Sequence, residues 1–193
     1  MLIVDSDPAV VERSLAAGAL SCPTCAGSLR PWGFARERAL RDHGVEGRLR
    51  VRRSRCRACE KTHVLLPDSC LLRRRDSVSS IGRALLDKVT GKTRAAVAAG
   101  LGVPADTVRG WFRRFSRRAE ELRARFWAHA HLLDPSLPAI EPAGSAFADA
   151  LGALGVLMRA ATRRLGARPE WAWASVLTGG LLLANTSSPC PST

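Results

Sequence analysis

The chain has 193 residues and a formal net charge of +13, carried by 27 arginines and 3 lysines against 17 acidic residues. Its opening segment, MLIVDSDPAVVERSLAAGAL, has acidic residues where a secretion signal needs a basic region, and it has no uninterrupted apolar stretch. The longest uncharged apolar run, Trp171 to Ala184, is shorter than the roughly 20 residues a membrane-spanning helix needs. Together these exclude export and membrane insertion as readings and lead us to expect a cytoplasmic protein in a reducing compartment.

Residues 1–20 read as an N-terminal strand and helix. Cysteines follow in two pairs, CPTC at Cys22 and Cys25 and CRAC at Cys56 and Cys59. In a reducing compartment such pairs are metal ligands or redox groups rather than disulfides. The spacing fits a zinc ribbon over 21–72. Each pair forms a turn that aims two thiolates at one point, and a hairpin between the pairs brings the two points together. Pro23 and Gly27 suit such turns. LRPWGF, GRLRVRRSRC and KTHVLLP are short, partly alternating segments, with turn-like DHGVEG before the second. Four cysteines close the shell, so one zinc ion held here is structural, with no open position for catalysis. A thioredoxin-type redox pair would open a helix in a βαβ unit, and nothing of that kind surrounds either pair. His63 is expected to make an ordinary hydrogen bond rather than to ligate. Cys70 reads as a small buried hydrophobe. No partner is evident for His43, His129 or His131, and Cys190 falls in a Ser/Pro/Thr-rich tail over 185–193 that reads as disordered.

Arginine is not evenly spread. Residues 30–57 carry ten arginines against Glu37, Asp42 and Glu46, and residues 73–125 carry fourteen basic against five acidic residues. The last 57 residues are nearly neutral, at +1. Codon bias in a GC-rich genome accounts for arginine in place of lysine but not for this placement. Two concentrated basic segments are the electrostatic footprint of a nucleic-acid binder.

The second basic segment, 73–118, has the pattern of a three-helix domain. Asp76 or Ser77 caps a first helix whose apolar face is Val78, Ile81, Leu85 and Val89, and Gly91 stops it. A short helix from about Thr93 to Gly100 meets a turn at Gly102, and a new helix starts near Pro104. Val97, Ala98, Leu101, Val103, Val108, Trp111 and Phe112 are spaced to pack the three together. A small residue at the crossing, a glycine turn and an aliphatic anchor make a helix-turn-helix.

TRAAVAAGLGVPADTVRGWFRRF resembles the helix-turn-helix of bacterial regulators and insertion-sequence transposases. The wider run, from SCPTCAGSLRPWGF to TVRGWFRRF, resembles an uncharacterised bacterial family that pairs an N-terminal zinc ribbon with a helix-turn-helix. The combination is also similar to the DNA-end-binding front of some transposases. The resemblance implies a double-stranded DNA partner and a nucleoid-associated place. One departure is Pro104, where related motifs carry a capping Ser or Thr. In the usual docking the first turns of the recognition helix enter the major groove. Asp106, Thr107, Arg109, Gly110 and Arg113 then lie on or near the groove side, with Arg109 suited to bidentate contact with guanine. Arg94, Arg114, Arg117 and Arg118 are placed for phosphates, and Arg73, Arg74 and Arg75 bridge ribbon and helices.

Beyond the motif, Phe115, Ala119, Leu122, Phe126 and Leu133 continue one apolar face, predicting a single helix of about 28 residues, roughly 40 Å long. Phe147, Leu151, Leu154, Met158, Ala161 and Leu165 form a second stripe. The stripes over 119–184 make either an intramolecular hairpin, closed by the tryptophans of PEWAWASVL, or a homodimer interface with two recognition helices. The expected fold is thus mainly α: a small β zinc ribbon, a three-helix helix-turn-helix domain and a C-terminal helical hairpin. No phosphate loop, nucleophile elbow or H-E-x-x-H motif is present, and no strands align the late acidic residues on a metal. We therefore expect a sequence-specific DNA binder in transcription or mobile-element control, not an enzyme, with no small-molecule substrate. The alternatives are an RNA-binding zinc-ribbon protein and a protein-interaction module. An RNA binder would offer exposed aromatics for stacking. This chain has few, and Trp111 and Phe112 read as buried.

Overall fold

The structure is a computed structural model and describes residues 1–138, 141–169 and 171–184; the tail and Cys190 lie outside the described residues. It is mainly helical, with seven helices and six short strands among the described residues. No described helix is long and apolar enough to cross a membrane.

The strands are β1 (Leu2–Val4), β2 (Leu29–Phe34), β3 (Arg38–Asp42), β4 (Val45–Leu49), β5 (Arg52–Cys56) and β6 (Thr62–Pro67). LRPWGF is thus a strand, as its alternation suggested, while GRLRVRRSRC divides between β4 and β5. One sheet has the order β1-β6-β5-β2, and β3 and β4 pair as a separate hairpin. The hairpin turns on two residues, His43 at φ 46° and Gly44 at φ 83°. Two consecutive positive φ angles give the turn whose twist matches that of paired strands.

The N-terminal strand and helix expected over 1–20 are not a separate unit. β1 pairs in parallel with β6, Leu2 opposite Leu65 and Val4 opposite Pro67. Helix α1 (Pro8–Ala16), capped by Asp7, buries Val11 and Leu15 with Leu29, Leu65, Cys22 and Cys56. This small core lies directly under the cysteines.

A larger core is helical. Ser77 caps α2 (Val78–Val89) through Ser80 N–H, and Thr93 caps α3 (Arg94–Leu101) through Ala96 N–H. Gly102 ends α3 at φ 62°, and α4 (Ala105–Ser116) follows. Val97, Ala98, Leu101, Val103, Val108 and Trp111 join these three helices as expected, with Phe112 half-buried against them. Pro104 is the residue before α4 rather than its first, and no side chain caps that helix.

The long helix expected through Leu133 is broken. Its second half is a separate helix, α5 (Ala119–Leu133), and Arg118 between the two has non-helical backbone angles. Arg118 N–H turns back to Phe115 O, tightening the ladder by one residue. The Arg118 guanidinium donates to Ala184 O and pairs with Glu121. The break re-aims the chain so that Phe115, Leu122 and Phe126 all enter one core.

Helix α6 (Ala146–Leu165) packs along α5, and α7 (Ala172–Leu177) returns to α2. The two apolar stripes therefore face each other within one chain, in the same core as Phe147, Leu151 and Leu154. Leu165, expected in the stripe, is 57% exposed because it lies in the last turn of α6. Trp171 does not close the hairpin's end alone. Its indole lies on Gly82 of α2, where a Cβ would stand inside the ring.

Gly82→Ala should therefore lower stability by about 1–3 kcal/mol through overpacking, read as a shifted urea midpoint at unchanged slope. In a Trp171→Ala background the same substitution should cost little, because the clash is gone.

Candidate metal centre and basic groove

The turn after each cysteine pair is built the same way. Cys22 N–H donates to Gly27 O and Cys56 N–H to Lys61 O, each five residues on. The residue after each second cysteine, Ala26 or Glu60, takes φ 59°. This left-handed step curls the backbone so that its N–H groups point at sulfur. Thr24 N–H lies 3.4 Å from Cys22 Sγ, and Ala58 N–H lies 3.3 Å from Cys56 Sγ. Gly27 is required by contact: a Cβ there would lie 2.9 Å from the Ala58 Cβ and 3.2 Å from Cys56 Sγ.

β2 pairs with β5, Leu29 opposite Cys56, and this register brings the two turns together. All four sulfurs lie within 4.8 Å of one another, with Cys25–Cys56 at 3.5 Å and Cys22–Cys59 at 3.7 Å. Around a tetrahedral ion with metal–sulfur bonds of ~2.3 Å, sulfurs stand about 3.8 Å apart. The donor set therefore fits a structural zinc ion, held by Cys22, Cys25, Cys56 and Cys59.

The sulfur environments differ. Burial opposes ionisation of Cys22, but the Thr24 and Cys25 amides and the Cys59 and Cys25 thiols outweigh it and bring its pKa down to about 5. The Cys59 amide of the second turn, working against burial and aided by the Ala58 amide, lowers Cys56. At Cys59 the Lys61 amide favours the thiolate, yet the Cys25 thiol, burial and the Cys56 and Cys22 thiols push its pKa up to about 11. Cys22 and Cys56 are thus biased toward the thiolate and Cys59 toward the thiol. His63 adds a second layer. It is buried on β6, with Nε2 3.3 Å from Cys22 Sγ. Its Nε2–H tautomer donates to the thiolate, the ordinary hydrogen bond expected of it. Cys70 is fully buried, and burial raises its pKa.

The β3–β4 hairpin connects this centre to the helices. Gly44 at its tip meets the α3–α4 turn backbone to backbone, and a Cβ on Gly102 would lie 3.2 Å from Gly44 Cα. His43 N–H donates to Ser80 Oγ, Ser77 Oγ–H donates to Asp42, and Arg41 Nε pairs with Asp76 at 2.6 Å. Neither this docking nor the His43 contacts were visible in the sequence, because both partners in each case lie more than 30 residues apart.

Docking the hairpin opens a groove of about 410 Å3 between the Arg73–Arg75 loop and α4. Asp106, Thr107, Gly110, Arg113 and Arg114 line its helical wall, and Arg41 with the three loop arginines lines the other. Five of the expected contact residues are therefore brought together. Arg109 lies outside the lining, exposed on α4 and paired with Asp106 at 3.3 Å. Arg94 is exposed in the first turn of α3, away from the groove. A Cβ on Gly110 would lie 2.8 Å from an Arg114 guanidinium nitrogen, the end of a flexible side chain that can swing aside.

The groove's acids are engaged, Asp76 by Arg41 and Asp106 by Arg109. Nε of Arg74 and Nε of Arg114 are buried with no hydrogen-bond partner among the described residues. Burial first, and then the positive charge of Arg114, lower the pKa of Arg74. Two guanidiniums held together without a carboxylate between them make a place of strong positive potential.

Residues 22–111 match a family described as a domain of unknown function (DUF6431). That span runs from the first metal-site cysteine to Trp111 in α4, and so takes in the cysteine cluster, the hairpin and helices α2 and α3. No curated protein and no solved structure matches the chain.

The protein should purify with one zinc ion per chain, and Cys22→Ser or Cys56→Ser should remove it, as counted by elemental analysis. His63→Ala should keep the stoichiometry and weaken zinc affinity about 10–100-fold. Zinc binding should release protons near neutral pH, Cys59 contributing one and Cys22 almost none, so affinity should fall as pH falls. Calorimetry in buffers of different ionisation enthalpy counts those protons.

Proposed function

We propose that this chain is a sequence-specific double-stranded DNA-binding protein in which a zinc ribbon braces a helix-turn-helix. Helix α4 is its recognition helix. The observation that carries this reading is the groove beside the exposed face of α4, in which Arg73, Arg74, Arg113 and Arg114 have no carboxylate partner among the described residues. Asp106, Arg109 and Arg113 project from that face into solvent. The Arg109–Asp106 pair is 61% and 80% exposed at its two side chains. Such a pair is worth at most about 1 kcal/mol, less than the roughly 1–3 kcal/mol of discrimination from a bidentate contact with guanine. Arg109 is therefore free to exchange its carboxylate for a base edge.

Arg73 and Arg74 of the loop suit phosphates, while Arg75 is held by Glu46. Arg73 and Arg113 form no ion pair among the described residues. An anion in the groove would relieve the repulsion between Arg74 and Arg114. The uncapped start of α4 leaves the Ala105 and Asp106 N–H groups available to the same backbone, Thr107 N–H being taken by Pro104 O. In this reading the metal holds the sheet, the sheet holds the hairpin, and the hairpin holds one wall of the groove.

We read the chain as a binding protein rather than an enzyme. Glu120, Glu121 and Asp134 are each paired with arginine, and Asp149 accepts Ala143 N–H. Its role in this reading is transcriptional regulation or mobile-element control. A homodimer through α5 and α6 finds little support, since their stripes are buried against each other.

Fluorescence anisotropy on a selected duplex tests the assignment. Arg109→Ala should cost about 1–3 kcal/mol and relax preference at one base position, whereas Arg73→Ala should weaken all sequences alike and reduce the salt slope by about 1. If both variants behave like the parent on every duplex, α4 is not the reading helix.

A further inference from the structure

A second surface, on the far edge of the four-stranded sheet, carries the features of a different contact. β2 is an edge strand whose one neighbour in the sheet is β5, and beyond Leu29, whose N–H donates to Leu20 O, its outer edge has no strand partner among the described residues. Its register breaks between Pro31 and Phe34, and Gly33 takes φ 74° at the bulge. The bulge shifts the alternation by one residue and leaves a ring in solvent on each face of the edge: Trp32, on the face of Arg30 and Arg55, is 41% exposed, and Phe34, on the face of Arg52 and α1, is 46% exposed. Each ring is attended by two guanidiniums. Arg30 and Arg55 lie 5.5 and 4.7 Å from the Trp32 ring, and Arg50 and Arg52 lie 4.6 and 4.7 Å from that of Phe34. Glu12 neutralises Arg52 and Glu60 neutralises Arg55. Arg30 and Arg50 have no carboxylate partner among the described residues.

We propose that this edge binds a single-stranded nucleic acid that crosses it from one face of the sheet to the other, with an unpaired base stacked on the ring at each face. Trp32 and Phe34 take the bases, and Arg30 and Arg50 take the phosphates. Aromatic rings interleaved with arginine are the surface that single strands select, because every base has a π-face and every linkage a charge. Duplex DNA does not suit the rings, since its bases already cover one another. An apolar protein segment does not suit the unneutralised arginines. Strand addition is disfavoured because Pro31 lacks an N–H on this edge. None of these residues lines the groove at α4, so the inference does not rest on the duplex-binding reading.

The test uses the full zinc-loaded chain and labelled oligo-dT, oligo-U and a duplex at one salt concentration. Trp32→Ala and Phe34→Ala should each weaken single-strand binding roughly tenfold, while Trp32→Phe keeps most of it and duplex affinity stays within about twofold. Zinc content and melting temperature check that the variants are folded, which exposed rings should permit. Preference for oligo-U would mark RNA as the source of the strand, and preference for oligo-dT would mark opened DNA. The proposal is overturned if the parent binds neither oligomer, or if both alanine variants bind as the parent does. Loss of single-strand binding in these variants, in a protein that binds no duplex, would sustain this site and remove the one at α4.

Discussion

Four sulfurs within 4.8 Å of one another cannot all carry charge unless a cation lies among them. Much of the remaining architecture depends on that requirement. The two turns that aim the sulfurs are also the ends of β2 and β5, so closing the cluster sets the register of the sheet. β1 and α1 then cover it from the N-terminal side, burying Val11 and Leu15 against Cys22 and Cys56. With roughly 70 residues and few large apolar side chains, this part of the chain has little core of its own, and a bound ion contributes folding energy directly.

The effect reaches the helices through one close contact. Gly44 and Gly102 meet without side chains between them, and Asp42, Ser77 and Ser80 fix the hairpin's angle with hydrogen bonds. Glycine at both positions satisfies a positive φ and a backbone contact at once. The hairpin lends Arg41 to the groove and holds Arg75 through Glu46. At the other end, Arg74 and Arg118 donate to the carbonyls of Leu183 and Ala184, tying down the last described residues. Arginine therefore does two kinds of work in this molecule: some side chains join segments far apart in sequence, and others stay without an anion. The second group is what a polyanion would recognise.

Local signals were legible in the sequence and distant ones were not. The cysteine spacing, the strands LRPWGF and KTHVLLP, the cap at Ser77 and the turn at Gly102 each depend on a few neighbouring residues, and each is found where its chemistry puts it. The parallel pairing of β1 with β6 joins residues some 60 positions apart, and nothing in MLIVD announces it. The break at Arg117–Arg118 was hidden because the apolar period runs through it unchanged, and the contact made there, from Arg118 to Ala184 O, spans 66 positions. Trp32 and Phe34 read as ordinary members of an alternating strand, and only the edge position and the bulge leave them in solvent. The cluster of buried, unpartnered guanidinium nitrogens needs the tertiary fold to exist at all.

The most direct test of the proposed function is selection from a random duplex library with the zinc-loaded protein at physiological salt, repeated after chelation. A metal-braced reading helix predicts an enriched motif with zinc and its loss without. Binding that enriches no sequence and disappears as salt rises would reduce the groove to nonspecific phosphate attraction, and would contradict the assignment of α4.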